Sequence, residues 1–308
     1  MVERNKQVFL ATTALEEFWD TTKPIIFMGE GCLLYSRHSF WEQIDGKLLE
    51  SPFENPEAAD AAYNYVNGIY ERLLPLLGEA LNSTHGKSYS VRYWRILLGP
   101  WLQDYLSVVY DRYRHLKCAL EQYPKCTTIM LSEESFIVPA DTMDFEYLLR
   151  DDPYNLQIYT KIISFLGKTF PCKESQTLQS PLYAKTLYDS WKLKIISYIS
   201  KIYTVICAKI FQAVILRNSY FPRTAEFQLM LKIPGKVLPI WGPFTKQPLI
   251  QYDSNSRNNL RKIWIGDSEF ERCLSAMLFS DVPKCFVEGF EACSSAAKKI
   301  YPNKIKVI

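Results

Sequence analysis

Residues 7–31 read QVFLATTALEEFWDTTKPIIFMGEG, and this stretch decides the fold class. Gln7–Ala11 is a short apolar run of the kind that fills a buried strand. A compact turn or helix, Leu15–Trp19, follows it. Lys23-Pro24 opens a second strand, Ile25–Met28, that Gly29 ends. Strands separated by helical pieces imply a largely parallel sheet with helices on its faces.

The rest of the chain extends the same alternation. Gly31 to Pro56 is loop-rich, punctuated by Gly46, Pro52 and Pro56. Glu57–Leu81 carries Tyr65, Ile69, Leu73, Leu76 and Leu77 on one side, which predicts a helix that Pro75 kinks or splits. Ser90–Tyr123 repeats Trp94, Leu98, Trp101, Tyr105 and Val108 at helical steps, with Gly99-Pro100 as an interruption. That stripe predicts buried, structural indoles. Thr127–Leu131 reads as another buried strand, and Ser132–Ser135 leaves the sheet after it. Helices are expected at Thr142–Leu149, Tyr154–Leu166 and Pro181–Leu216. Short strands are expected at Lys236–Ile240 and Ile263–Ile265. Pro283 opens a helix that runs to Ile300. A last strand begins at Lys304 and the chain ends in it at Ile308. On that reading, residues 1–308 form the front part of a larger protein, with roughly 140–260 largely helical.

Composition excludes several classes. A formal charge of +3 over 308 residues lacks the basic excess of a nucleic-acid binder. Twenty Tyr and seven Trp suit either a large core or sugar stacking. The polar start MVERNKQV is no secretory signal. Eight Cys stand singly with no CxxC pair, so they read as reduced thiols of a cytoplasmic protein. His38, His85 and His115 are dispersed, and nothing in the sequence calls for a metal or a cofactor. Ile195–Leu216 is apolar, but Lys194, Lys201 and Lys209 punctuate it. It predicts an amphipathic helix lying on a sheet rather than a membrane span.

Ligands of open parallel sheets bind beyond the carboxyl ends of the strands. Two acidic spots occupy such positions: Glu30 after the Ile25–Met28 strand, and Glu133 with Glu134 after Thr127–Leu131. A carboxylate there can act as a general base towards a hydroxyl, or can cap the next helix or pair with an arginine. Arg37 and His38 follow the Glu30 loop. Arg92 and Arg95 open the Ser90 helix on one face, where a bidentate fork suits phosphate or carboxylate. The plain alternative for each is a structural bridge to a Glu. No GxGxxG or GxxxxGK[ST] loop occurs to cradle phosphate.

Five blocks carry a resemblance: FLATTALEEFW (Phe9–Trp19), SVRYWRILLGPWL (Ser90–Leu102), LSEESF (Leu131–Phe136), DPYNLQIYTKI (Asp152–Ile162) and DVPKCFVEGF (Asp281–Phe290). They resemble a bacterial family of surface-polysaccharide transferases, along most of the chain. The resemblance implies an α/β, Rossmann-like, mostly parallel sheet flanked by many helices. It is similar to the N-terminal, acceptor-side domain of a GT-B glycosyltransferase. It further implies sugar transfer from a nucleotide-activated donor to a surface polysaccharide or lipopolysaccharide acceptor. A donor-binding C-terminal domain has no counterpart here, and there is room for peripheral membrane association. Gly29-Glu30 is similar to the Gly-Glu that supplies the base in related Kdo-type transferases, which implies Glu30 as the catalytic base. Arg37, His38, Arg92, Arg95, Glu133 and Glu134 are then the acceptor-binding candidates. The rival expectation is a non-catalytic interaction module that keeps the transferase fold.

Overall fold

The computed structural model describes residues 7–175, 198, 202, 214–217, 221–234, 236–240 and 250–300. The chain divides into two compact units, Met1–Ser180 with Gln251–Glu288, and Pro181–Ile250 with Gly289–Ile308.

The first unit is an α/β layer structure. Strands β1 (Phe9–Ala11), β2 (Ile25–Phe27) and β3 (Gly46–Leu48) pair in parallel, with Phe9 beside Ile25 and Ile25 beside Gly46. β1 and β2 are wholly buried, as their apolar composition requires, while β3 is an exposed edge. On its other side β1 meets Thr127. Leu10 N–H donates to the Thr127 carbonyl at 2.8 Å, and Thr127 N–H donates to the Val8 carbonyl at 3.0 Å. The same segment continues into β4 (Met130–Leu131), which pairs in parallel with β5 (Cys172–Lys173). The lateral order is therefore β3-β2-β1-β4-β5, all parallel. The winding reverses between β1 and β4, the place where such sheets open a crevice at their carboxyl ends.

Eight α-helices occur among the described residues. In the first unit these are α1 (His38–Trp41), α2 (Pro56–His85), α3 (Val91–Gln122), α4 (Thr142–Leu148), α5 (Asp152–Phe165) and α7 (Glu269–Asp281). In the second they are α6 (Arg223–Lys232) and α8 (Phe290–Ile300). That unit also holds a parallel pair, β6 (Val214–Arg217) beside β7 (Val237–Ile240), joined through α6.

α2 and α3 pack against each other along their apolar faces. Asn55 caps α2 by accepting the Glu57 N–H at 2.7 Å, and Pro56 occupies the first turn. Gly86, at φ +60°, ends it in the left-handed conformation that glycine adopts most readily. Ser90 then caps α3. Leu73, Leu74 and Leu77 meet a stripe of Trp94, Leu98, Trp101 and Tyr105, all fully buried. The predicted structural role of those indoles is thus met. Glycines let the rings approach: a Cβ on Gly78 would lie 2.7 Å from Trp94, and one on Gly99 would lie 2.8 Å from the Tyr70 hydroxyl.

Several expectations need correction. Of the two outcomes expected at Pro75 and at Gly99-Pro100, a kink or a split, the split does not occur, since both helices run on as single elements. The carbonyls these prolines leave unbonded belong to Glu71 and Ile96, exposed residues that water can reach. Ile263–Ile265 is extended but is no strand. Its Ile265 N–H donates to Ser275 Oγ, and its Ile265 carbonyl accepts from Arg72. The final helix starts at Phe290 instead of Pro283, because the Lys284 and Cys285 amides donate to the Pro139 and Ala140 carbonyls. Val214–Leu216, expected as the end of a long helix, lies in β6. The rest of that helix, apart from residues 198 and 202, lies outside the described residues, as does the strand expected at 304–308. No helix among the described residues is long and apolar enough to cross a membrane.

Candidate functional site

Register brings two of the predicted acidic spots to one rim. Phe9 is level with both Ile25 and Thr127, so β2 and the segment that leads into β4 run to the same carboxyl edge. β2 and β4 lie two strand spacings apart, roughly 10 Å. Glu30 opens a 3-10 turn after Gly29 and is exposed. Glu133 and Glu134 leave β4 in a similar exposed turn. Glu134 accepts from the Ser132 hydroxyl, which holds its carboxyl below the ordinary value.

Arg37 and His38 lie on the chain that follows Glu30. Arg37 forks onto Glu16 in the β1–β2 connection, at 2.7 and 2.6 Å, and lowers the Glu16 pKa through that bond. The arginine therefore ties the two loops of the rim together. His38 is exposed, with Nδ1 3.0 Å from the Tyr35 carbonyl and its ring stacked on Tyr35.

Arg92 and Arg95 are not brought to this rim. Arg95 forks onto Glu71 of α2 at 2.7 and 2.6 Å, the structural bridge allowed for it. Arg92 is exposed, with no carboxylate on it among the described residues. Arg112, on the same helix, reaches the rim. At about 1.5 Å per residue, Arg92 and Arg95 lie roughly 30 and 25 Å from it along the axis.

Beneath the rim is a polar cluster that sequence reasoning missed. Asp152, in the first turn of α5, accepts the Ala14 N–H of the β1–β2 connection, at 3.1 Å. Burial raises its pKa, against that bond. Cys32 donates to the Ala11 carbonyl at 3.2 Å, and burial pushes its thiol up to about 11, so it is no nucleophile at neutral pH. Arg112 bonds Asp111 and donates to Asn155 Oδ1 at 3.0 Å. His115 Nδ1 is 2.9 Å from the Asp111 carbonyl oxygen and 3.3 Å from Asp111 Oδ1. Asp152 and Asn155 fall in the DPYNLQIYTKI block, the one sequence signal that could have pointed to them.

A cleft of about 680 Å³ borders the segment that leaves β4. Glu133 stands on its wall, with Lys161 of α5, Ser280 of α7 and Lys284. Lys161 donates to Ser280 Oγ at 3.0 Å and pairs with Asp281, which also accepts from the Tyr105 hydroxyl at 2.7 Å. No spacing in the sequence marks this group, since Lys161 and Asp281 are 120 residues apart. Among the described residues no three His, Cys, Asp or Glu side chains converge as metal ligands would.

A family model described as LIC12162 family transferase matches residues 8–308. No curated protein and no solved structure matches the chain.

Proposed function

Because the chain belongs to the LIC12162 family of transferases, we propose that it moves a sugar from a nucleotide-activated donor to a hydroxyl of a surface-polysaccharide or lipopolysaccharide acceptor, on the cytoplasmic side. In this reading its sheet is the Rossmann-like acceptor domain of a GT-B glycosyltransferase. The observation that carries it is the exposed carboxylate of Glu30 at the carboxyl rim, one strand from the point where the winding reverses between β1 and β4.

The chemistry asks for one base. The acceptor oxygen attacks the anomeric carbon, the bond from that carbon to the donor phosphate oxygen breaks, and Glu30 takes the acceptor proton. The nucleotide leaves as a phosphate anion. Glu133 and Glu134, on the same rim, accept hydrogen bonds from other acceptor hydroxyls. Two of the five N–H groups of Arg37 are held by Glu16. The remaining three can point to an acceptor oxygen, beside His38. Arg92 and Arg95 have no part at this distance.

Purified protein is incubated with a panel of nucleotide sugars and a glycolipid extract of the source cell envelope, and nucleotide release is followed. One donor should give acceptor-dependent release, and Glu30→Gln should lower kcat by about 10²–10⁴-fold. Glu30 is exposed, so the variant should melt with the parent. Undiminished turnover in Glu30→Gln removes the assigned base. The same assay is repeated with a soluble extract of source cells lacking this chain, which can supply a donor-binding partner; absence of chain-dependent transfer from every donor in both arms removes the sugar-transfer reading.

A further inference from the structure

The cleft beside α5 and α7 is preformed. Buried Gln157 of α5 grips one wall, accepting the Ile137 N–H and donating to the Ile137 carbonyl, both at 2.9 Å. Arg257, with no exposed surface, fixes the other wall by donating to the Phe279 and Val282 carbonyls at the end of α7. Its charge is met by Glu288 at 2.7 and 2.9 Å, and it lies 4.7 Å from the ring of Tyr252, which faces the cleft. The Lys284 and Cys285 amides tie the two walls together through Pro139 and Ala140.

Size and charge then select the occupant. About 680 Å³ is the volume of a small-molecule site. Phe136, Phe165, Met277 and Phe279 supply apolar wall, which suits a flat apolar body. Two lining side chains are cationic, Lys161 and Lys284, and one is anionic, Glu133. Lys161 spends two N–H groups on Ser280 and Asp281 and keeps a third. Asp281 is turned inward, its side chain only 4% exposed. Lys284 has no carboxylate on it among the described residues. Glu133 is the one carboxylate among the lining residues, and it is exposed.

We propose that this cleft binds a small anion, a carboxylate or phosphate monoester borne on an aromatic or similarly flat body. Lys284 and the third Lys161 N–H hold the anion, and the phenyl rings hold the body. The site does not rest on the sugar-transfer reading; only Glu133 is common to both.

The test uses the full chain and two fluorescent probes of similar body, anionic 8-anilino-1-naphthalenesulfonate and neutral N-phenyl-1-naphthylamine. The anionic probe should bind saturably, one per chain. Lys284→Gln should weaken it about tenfold and leave the neutral probe unchanged. Ala276→Trp, placed on an exposed lining residue, should abolish both without lowering Tm. Phenyl phosphate and phenylacetate compete in separate arms; displacement by one or both at millimolar levels assigns the head group. Glu30→Gln should bind the probes as the parent does, which separates this site from the transfer reaction. Unsaturable binding, full affinity in Ala276→Trp, equal loss of both probes in Lys284→Gln, or no displacement by either competitor overturns the proposal.

Discussion

The α2–α3 hairpin and the end of α7 solve the same packing problem by opposite means. In the hairpin, rings press on glycines, and the ion pair that spans the helices, Arg95–Glu71, stays half-exposed on the outside. At the end of α7 the ion pair is the inside: Arg257 is fully buried, and its guanidinium caps helix carbonyls while Glu288 neutralises it. The hairpin gains stability from apolar area, so the charges on its surface are dispensable. The α7 end gains geometry, since a rigid planar fork fixes the direction of the backbone beside the cleft. Losing that fork leaves a buried carboxylate and orphaned carbonyls behind.

The largest effect should therefore come from Arg257→Ala. Breaking a buried pair by removing one partner typically costs about 3–5 kcal/mol, read as the urea midpoint at constant slope. Arg95→Ala is its counterpart on the hairpin. An exposed pair contributes little, so the variant should keep its Tm to within about 2 °C of the parent. Similar losses from the two substitutions would erase the distinction between the regions.

The same contrast explains what the sequence discloses. Apolar periodicity is a local signal, and it places Trp94, Leu98 and Trp101 in the hairpin core correctly. It also finds β1, β2 and the strand around residues 127–131. Polar bracing has no local signal. Lys161 meets Asp281, and Tyr113 meets Glu269, only after the fold brings distant segments together. Exposed two-residue β5 has no apolar run to announce it. For the rim, placement after strand ends is what singled out Glu30, Glu133 and Glu134, which follow the carboxyl ends of β2 and β4. Arg92 and Arg95 were selected by residue type and helix face alone, and helix length carries them away from the rim.

Glycine substitutions on α2 sharpen the comparison within one helix. Alanine is favoured over glycine in a helix interior by about 1 kcal/mol. At Gly68 a Cβ meets nothing within 4 Å, so Gly68→Ala should raise stability by up to that amount. At Gly78 the new Cβ would sit 2.7 Å from the fully buried Trp94 ring. Overpacking of that kind costs about 1–3 kcal/mol. Gly78→Ala should then come out destabilising, by about 1 kcal/mol net. Opposite signs from two Gly→Ala changes ten residues apart, measured by chemical denaturation, would show that ring-on-backbone packing closes the hairpin. The same sign at both sites would show that the rings shift freely.

The smallest expected effect lies further along α3, where the helix turns from apolar to polar. Burial by itself would lower the His115 imidazole, but the hydrogen bond and charge of Asp111 outweigh it and raise the pKa above the ordinary 6.5. Neighbouring Arg112 opposes this, and the Phe53 ring meets the imidazole at 5.7 Å. Asp111 shifts the other way: burial raises its pKa, yet bonds from His115 and Arg112 bring it below 3.8. A histidine whose pKa is higher in the folded state takes up a proton on folding. Its contribution is complete below its unfolded value and fades as pH rises through the folded one. The carboxylate contributes above its unfolded value and fades as pH falls through its folded one. The pair is therefore strongest between about pH 4 and 6.5. His115→Gln should lower Tm more at pH 5.5 than at pH 8.5. A Tm difference from the parent that is the same at both pH values would mean that the imidazole is neutral throughout, and that this end of α3 is held by packing as its other end is.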